Sequence, residues 1–160
     1  MLDLRDNGGG LLNEAVLISS IFVDKGTVVS TDGRNRPKRV FEATGDAIKG
    51  DIPVVVLVNR DSASASEIVT GALQDHDRAE VVGTRTFGKG VFQEVRELEN
   101  GGALDITVGE YFTPSGRNLG GGGPKRGAGI TPDVKALDND KTKRDEALDV
   151  AVRTAVRRHA

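Results

Sequence analysis

The longest uninterrupted apolar run of the chain follows Pro53 and comprises Val54–Val58. A short apolar run between a proline and a polar turn is typical of a buried strand, so we predict a strand over residues 53–58. Residues 59–61 are polar. Apolar residues then recur at helical spacing and predict a helix from Ser64 to about Leu73: Ile68, Val69, Ala72 and Leu73.

Alternating apolar residues and β-branched runs predict the remaining strands, and apolar residues at helical spacing predict the remaining helices. We expect strands at residues 2–5, 27–31, 38–43, 79–82, 91–98 and 103–112, and helices at residues 11–22 and 143–158. The glycine-rich segment 118–129 predicts a mobile loop. We therefore expect one domain in which residues 1–136 form the core, and residues 137–160 form a linker and a C-terminal helix that packs on it.

Composition narrows the classes of protein and site. The 160 residues carry a net charge of −2, which gives no basic excess for nucleic acid. There is no cysteine and there are two histidines, so we expect no metal site. No apolar segment approaches the length that spans a membrane, and we expect no membrane contact from this chain.

Three serines, Ser62, Ser64 and Ser66, lie at the predicted turn between the buried strand and the next helix. Free N–H groups at a helix start favour negative charge, which suits a nucleophile whose attack generates an oxyanion. Serine is also a preferred N-cap residue. The segment by itself thus permits either a nucleophile or a helix cap.

A glycine turn and a glycine-flanked lysine provide further candidate chemistry. Residues 8–10 are three glycines between a predicted strand and a helix, which fits a tight turn or close backbone approach to a ligand. A phosphate cradle is another reading, although the Lys-Ser/Thr of a Walker motif is missing. Lys89 lies between two glycines. It is either a surface residue or a proton acceptor, and the second role requires it to be buried and neutral.

His76 is the histidine nearest to these motifs and could form a Ser-His site. We favour the simpler interpretation of an exposed residue at a helix end, where the helix dipole stabilises positive charge.

The motifs in order resemble the carboxyl-terminal processing peptidases, or tail-specific proteases. They are Asp-Asn-Gly-Gly-Gly at 6–10, Ser-Ala-Ser-Ala-Ser-Glu at 62–67, Phe-Gly-Lys-Gly at 87–90 with Gln93 after it, and Tyr-Phe-Thr-Pro-Ser-Gly-Arg at 111–117. The resemblance implies an α/β fold with a layered β-sheet core flanked by helices, like Clp-type peptidases and crotonases. It places the loop at 113–117 near the active-site groove.

The resemblance also implies roles for individual residues. Ser64 is the nucleophile, Lys89 the base and Gln93 the residue that orients the lysine. The N–H groups of Ala65 and Gly10 form the oxyanion hole, with Gly9 the second choice for the glycine donor. Gly8 departs from the family, which usually has proline or serine there.

The expected reaction is hydrolysis of peptide bonds near protein C-termini through an acyl-enzyme, without a cofactor. The resemblance implies a protein or peptide substrate and action outside the cytoplasm or at a membrane. It is compatible with an oligomer. Relatives carry an export signal or membrane anchor and a PDZ domain upstream. Because residues 2–5 read as the end of a strand, we expect this chain to be a catalytic-core fragment.

Three alternatives to an active peptidase stay open. The first is an inactive fragment with the same fold, and the second is a crotonase-like enzyme that acts on acyl thioesters. The third is a module that binds phosphate or nucleotide through its glycine turns.

Overall fold

A computed structural model describes residues 1–45, 47–120, 128–139 and 141–159. In chain order the elements are β1 (Leu2–Asp3), α1 (Leu12–Ser20), β2 (Thr27–Gly33), β3 (Arg36–Glu42), β4 (Val54–Val58), α2 (Ala65–Asp75), β5 (Ala79–Gly83), β6 (Val91–Glu97), β7 (Ala103–Phe112), β8 (Val134–Lys135) and α3 (Glu146–His159). Every predicted strand and helix is present, with small shifts at the ends. The two-residue strand β8 was not predicted. The central part of the glycine-rich segment, 121–127, lies outside the described residues.

The first sheet is parallel and has the strand order β1-β4-β5-β8. All five residues of β4 are buried, as predicted for a strand covered on both faces. Side chains alternate across the sheet: Val54, Val56 and Val58 join the main core, whereas Val55 and Leu57 pack with residues of α3.

The second sheet is antiparallel and has the order β3-β2-β7-β6. Val28 and Val29 of β2 are fully buried, and they share the main core with Ile68 and Leu73 of α2. Both sheets and the helices α1 and α2 thus contribute to one core, and α3 covers the other face of the parallel sheet. This is the layered α/β arrangement that was predicted. No helix in the described ranges combines the length and apolarity that crossing a bilayer requires.

The sheet topology brings two turns to one edge of the parallel sheet. Strands β1 and β4 are parallel neighbours, so the segments that follow them emerge at the same edge. The Ala63 N–H, in the turn after β4, donates a hydrogen bond to the Asn7 carbonyl in the turn after β1, at 3.0 Å. The glycine turn (residues 6–10) and the serine turn (residues 59–64) are therefore in direct contact.

Arg5 connects this edge to the start of α3. Its guanidinium donates hydrogen bonds to both carboxylate oxygens of Asp145, at 2.9 and 2.8 Å, and to Asp3 at 2.8 Å. Hydrogen bonding from Arg5 holds the pKa of Asp145 and of Asp3 below their ordinary values. The paired ions thus stabilise the folded chain.

We expect Arg5→Met to lower the free energy of unfolding by about 1 kcal/mol at pH 7, since these groups are partly exposed. A carboxylate whose pKa is lowered by folding stabilises the fold above its unfolded pKa of about 4, and this stabilisation is lost as pH falls through the folded pKa. The difference between wild type and variant should therefore shrink in acid. Urea unfolding at pH 7 and in acid measures this difference, with Arg153→Met as the control, since Arg153 is exposed and has no ion pair among the described residues. A difference that stays constant or grows in acid would refute the ion-pair account.

Candidate active site

The turn between β4 and α2 holds Ser64 in an unusual backbone conformation. Its φ is 57° and its ψ is −119°, which a residue with a Cβ adopts only under constraint. Ser64 is partly exposed, whereas Ser62 and Ser66 are buried. The Ser62 hydroxyl donates to the Leu4 carbonyl at 2.7 Å and fastens the turn to the preceding sheet edge. Of the three serines, Ser64 is therefore the accessible one.

Glu67, in the first turn of α2, is fully buried and binds both segments of the site. One carboxylate oxygen accepts hydrogen bonds from the N–H groups of Ser64 and Lys89, each at 2.9 Å. The other accepts from the Gly88 N–H at 2.7 Å and from the Thr86 hydroxyl at 2.5 Å. The carboxylate thus fixes the backbone of residues 86–90, the lysine loop, against the backbone of the serine turn.

The lysine loop packs its glycines inward and directs the lysine outward. Gly88 and Gly90 are buried, but Lys89 is exposed. A Cβ on Gly90 would lie 1.9 Å from the Gly120 backbone nitrogen, so no side chain fits there. The free chain therefore lacks the burial that the role of proton acceptor requires of Lys89, because the loop turns its side chain into an open cleft.

One cleft of about 370 Å³ brings the predicted catalytic residues together. Its lining includes Ser64 from the α2 turn, Lys89 from the glycine loop and Gln93 from β6. Gly10 from the glycine turn and Tyr111 from β7 complete this part of the wall. Residues far apart in sequence thus meet at the junction of the two sheets.

The glycine turn lies against the serine turn, and its N–H groups differ in their partners. The Gly9 N–H donates to the Asn7 side-chain oxygen at 2.9 Å. Among the described residues, the N–H groups of Gly10 and of Ala65 have no acceptor. Gly10 therefore suits an oxyanion hole better than Gly9, whose N–H is already bound.

Gly9 also provides the close approach of the two turns. It has a φ of 97°, and a Cβ there would lie 2.6 Å from the Ala63 oxygen and 2.7 Å from the Ala65 nitrogen. A Cβ on Gly10 would meet nothing within 4 Å. The chain therefore requires glycine at position 9 and accepts a larger residue at position 10.

We expect Gly9→Ala to lower the free energy of unfolding by at least about 2 kcal/mol, through backbone strain and displacement of the serine turn. Gly10→Ala, the adjacent control, should change it by less than about 0.5 kcal/mol. Chemical denaturation of both variants tests the contact. Equal stabilities would show that the glycine turn does not press on the serine turn.

His76 and the loop at 113–117 lie at the opposite end of α2. His76 follows the last residue of this helix, and its Nε2 is 2.7 Å from the Thr27 carbonyl oxygen. Arg117 pairs with Asp75, the last residue of α2. Since α2 has 11 residues, about 16 Å separates these groups from Ser64. His76 is half-buried in a structural contact and not exposed as expected, and none of residues 113–117 lines the cleft, contrary to the expectation for this loop.

An apolar cavity of about 120 Å³ adjoins the cleft, and Gly10 and Leu11 line both. Ala65, whose N–H has no acceptor among the described residues, also lines this cavity. The other side chains of its wall are largely apolar: Leu2, Leu4, Ala15, Ile18 and Val69. An apolar side chain next to a peptide carbonyl at Ser64 would fit this cavity.

The resemblance named Ser64, Lys89, Gln93 and Gly10, which line the cleft, and Ala65, which follows Ser64, but it gave no role to Glu67. A pattern that could have revealed it is Ser-x-x-Glu at 64–67, in which the glutamate reaches back to the N–H at the start of its helix. The sequence gives no indication of its three partners on the lysine loop.

Comparisons with known proteins identify similar sequences and structures. A model of peptidase family S41 matches residues 1–136. The carboxy-terminal-processing protease of Bartonella bacilliformis is 47% identical over 135 residues, which cover 84% of this chain and 30% of that protein. Among solved structures, the photosystem II D1 C-terminal processing protease is 38% identical with a TM-score of 0.74, covering 94% of this chain and 38% of that one.

The tricorn protease structure is 20% identical, with a TM-score of 0.57 over 99% of this chain and 15% of that one, which shows likeness of fold alone. The chain thus spans less than two fifths of the length of each of these three proteases.

Proposed function

The chain belongs to peptidase family S41, and from that premise we propose that it hydrolyses peptide bonds with Ser64 as the nucleophile and Lys89 as the base. The observation that carries the proposal is the single cleft lined by Ser64, Lys89, Gln93 and Gly10. The names of the matched proteases describe processing at carboxyl termini. We extend that substrate class, the C-terminal region of a protein, to this chain, with action outside the cytoplasm.

In the proposed reaction the Ser64 oxygen attacks the carbonyl carbon of the scissile bond while the Lys89 amine takes the hydroxyl proton. The N–H groups of Ala65 and Gly10 stabilise the oxyanion, each by about 3–4 kcal/mol in a serine protease. Lys89 then gives the proton to the departing amine. The acyl group of the substrate stays on Ser64 as an ester, the acyl-enzyme. Water attacks the ester, and Lys89 moves the proton from water to Ser64.

The exposure of Lys89 adds a condition to this mechanism. A lysine amine in water is protonated at neutral pH and cannot accept another proton. A peptide that fills the cleft displaces water from Lys89 and thereby disfavours its charged form. Substrate binding therefore supplies the burial that the free chain lacks, and the Gln93 amide orients the amine without adding charge.

The proposal is tested by incubating the 160-residue chain with short unstructured peptides and identifying products by mass spectrometry. We expect slow cleavage that is absent in Ser64→Ala, and little cleavage of folded proteins, because the chain is a small part of its relatives. Cleavage that persists in Ser64→Ala, or no cleavage of any peptide, would contradict the proposed activity.

A further inference from the structure

A second cavity extends the catalytic cleft along the antiparallel sheet. It measures about 140 Å³, and Leu12 and Phe92 line both the cavity and the cleft. Its floor is apolar, with Phe41 of β3 beside these two residues. An extended peptide that occupies the cleft can therefore continue into this cavity.

Three charged residues rim the cavity, and one of them is unpaired. Arg36 forms an ion pair with Glu94, so these two charges cancel locally. Arg39 is exposed and has no acceptor among the residues that the structure describes. The cavity thus offers one free guanidinium above an apolar floor, which suits a carboxylate next to an apolar group.

Strand register gives the distance of Arg39 from the catalytic cleft. Arg39 of β3 lies opposite Thr31 of β2, and Thr31 lies opposite Tyr111 of β7, which lines the cleft. Neighbouring strands are about 4.8 Å apart, so Arg39 is about 10 Å from Tyr111 along this row. An extended peptide covers that distance in about three residues.

We infer that Arg39 binds a carboxylate of the peptide substrate about three residues from the part of the peptide that contacts Tyr111 in the cleft. The carboxylate belongs either to an acidic side chain or to the free C-terminus of the substrate, and both present the same group to the guanidinium. The inference rests on the proposed peptidase function, because it takes the cleft as the substrate site. It gives that site a preference for acidic over neutral ligands.

The test measures binding of fluorescent peptides to the 160-residue chain carrying Ser64→Ala, so that turnover is not needed. One pair of apolar peptides has a C-terminal acid or its amide. A second pair, both amidated, has an internal glutamate or glutamine. We expect at least one acidic peptide to bind about 5-fold more tightly than its neutral counterpart, the upper range for an exposed ion pair, and this advantage to shrink with added salt.

Arg39→Gln, in the same background, should abolish the advantage. Lys38→Gln is the matched control, because it removes the same charge from the adjacent residue, whose side chain lies on the opposite face of β3. An advantage confined to the first pair identifies the C-terminus as the source, and one confined to the second identifies a side chain.

No advantage, no binding of any peptide, an advantage retained in Arg39→Gln, or an equal loss in Lys38→Gln would overturn the inference. No binding of any peptide would also argue against the cleft as a substrate site, whereas the other outcomes leave the proposed hydrolysis, measured with the intact Ser64, unaffected. A chain that cleaves peptides but binds acid and amide alike would retain its function and lack the carboxylate site.

Discussion

Lys89→Ala and Lys89→Arg should each lower the rate of peptide cleavage by about 10²–10⁴-fold, the usual contribution of a general base. Alanine removes the amine, and arginine stays charged and cannot accept the serine proton. Because Lys89 is exposed, neither change leaves a cavity or a buried polar group. Stability should therefore stay within about 0.5 kcal/mol of the wild type. Cleavage rates and urea unfolding of the same preparations separate loss of chemistry from loss of fold.

His76→Ala is the control for the alternative base. It should retain cleavage, although it removes the contact with the Thr27 carbonyl. Near-normal cleavage by Lys89→Ala together with its loss in His76→Ala would reject the Ser-Lys mechanism. A crotonase-like enzyme would not need Lys89, so retained activity toward an acyl thioester would point to that class.

Glu67→Gln should both destabilise the fold and slow the reaction. The carboxylate accepts four hydrogen bonds in a fully buried place, and an amide turns one of its two acceptors into a donor that faces other donors. We expect a loss of about 2–3 kcal/mol in the free energy of unfolding. Denaturation measures this loss against Glu80→Gln, which changes a carboxylate with an exposed arginine partner and should cost little.

The kinetic result distinguishes positioning from stability alone. Glu67 does not line the cleft, but it holds the backbones of Ser64 and Lys89. Well below the unfolding transition, kcat of Glu67→Gln should fall while KM changes little, because the substrate contacts remain and the reacting groups are misplaced. An unchanged kcat in folded protein would limit Glu67 to a structural role.

Local patterns predicted the elements of this fold well, because most are long enough to show a period. The uninterrupted apolar run of β4 indicated burial on both faces, and the apolar stripe of α3 indicated a helix that covers the core. Strand β8 has two residues and exists through its pairing with β5, so no local pattern could reveal it. Strand order in both sheets likewise depends on contacts between distant segments.

The sequence predicted which residues belong to the candidate site, but neither their burial nor their contacts. Resemblance named Ser64, Lys89 and Gln93, which line one cleft. The exposure of Lys89 depends on backbone packing of Gly88 and Gly90 in the loop, which spacing does not encode. The contacts of Glu67 with that loop join residues up to 22 apart, beyond the reach of a helix-capping pattern.

The most direct test that Ser64 is the activated nucleophile is labelling with a fluorophosphonate joined to a short peptide, which fills the cleft as a substrate would, followed by mass spectrometry to locate the adduct. If Lys89 activates Ser64, we expect one adduct, on Ser64, and none in Lys89→Ala. Ser62 and Ser66 carry the same hydroxyl within two residues of Ser64 and serve as internal controls, since both are buried. An adduct on either of them, or a chain that is not labelled at all, would contradict the account.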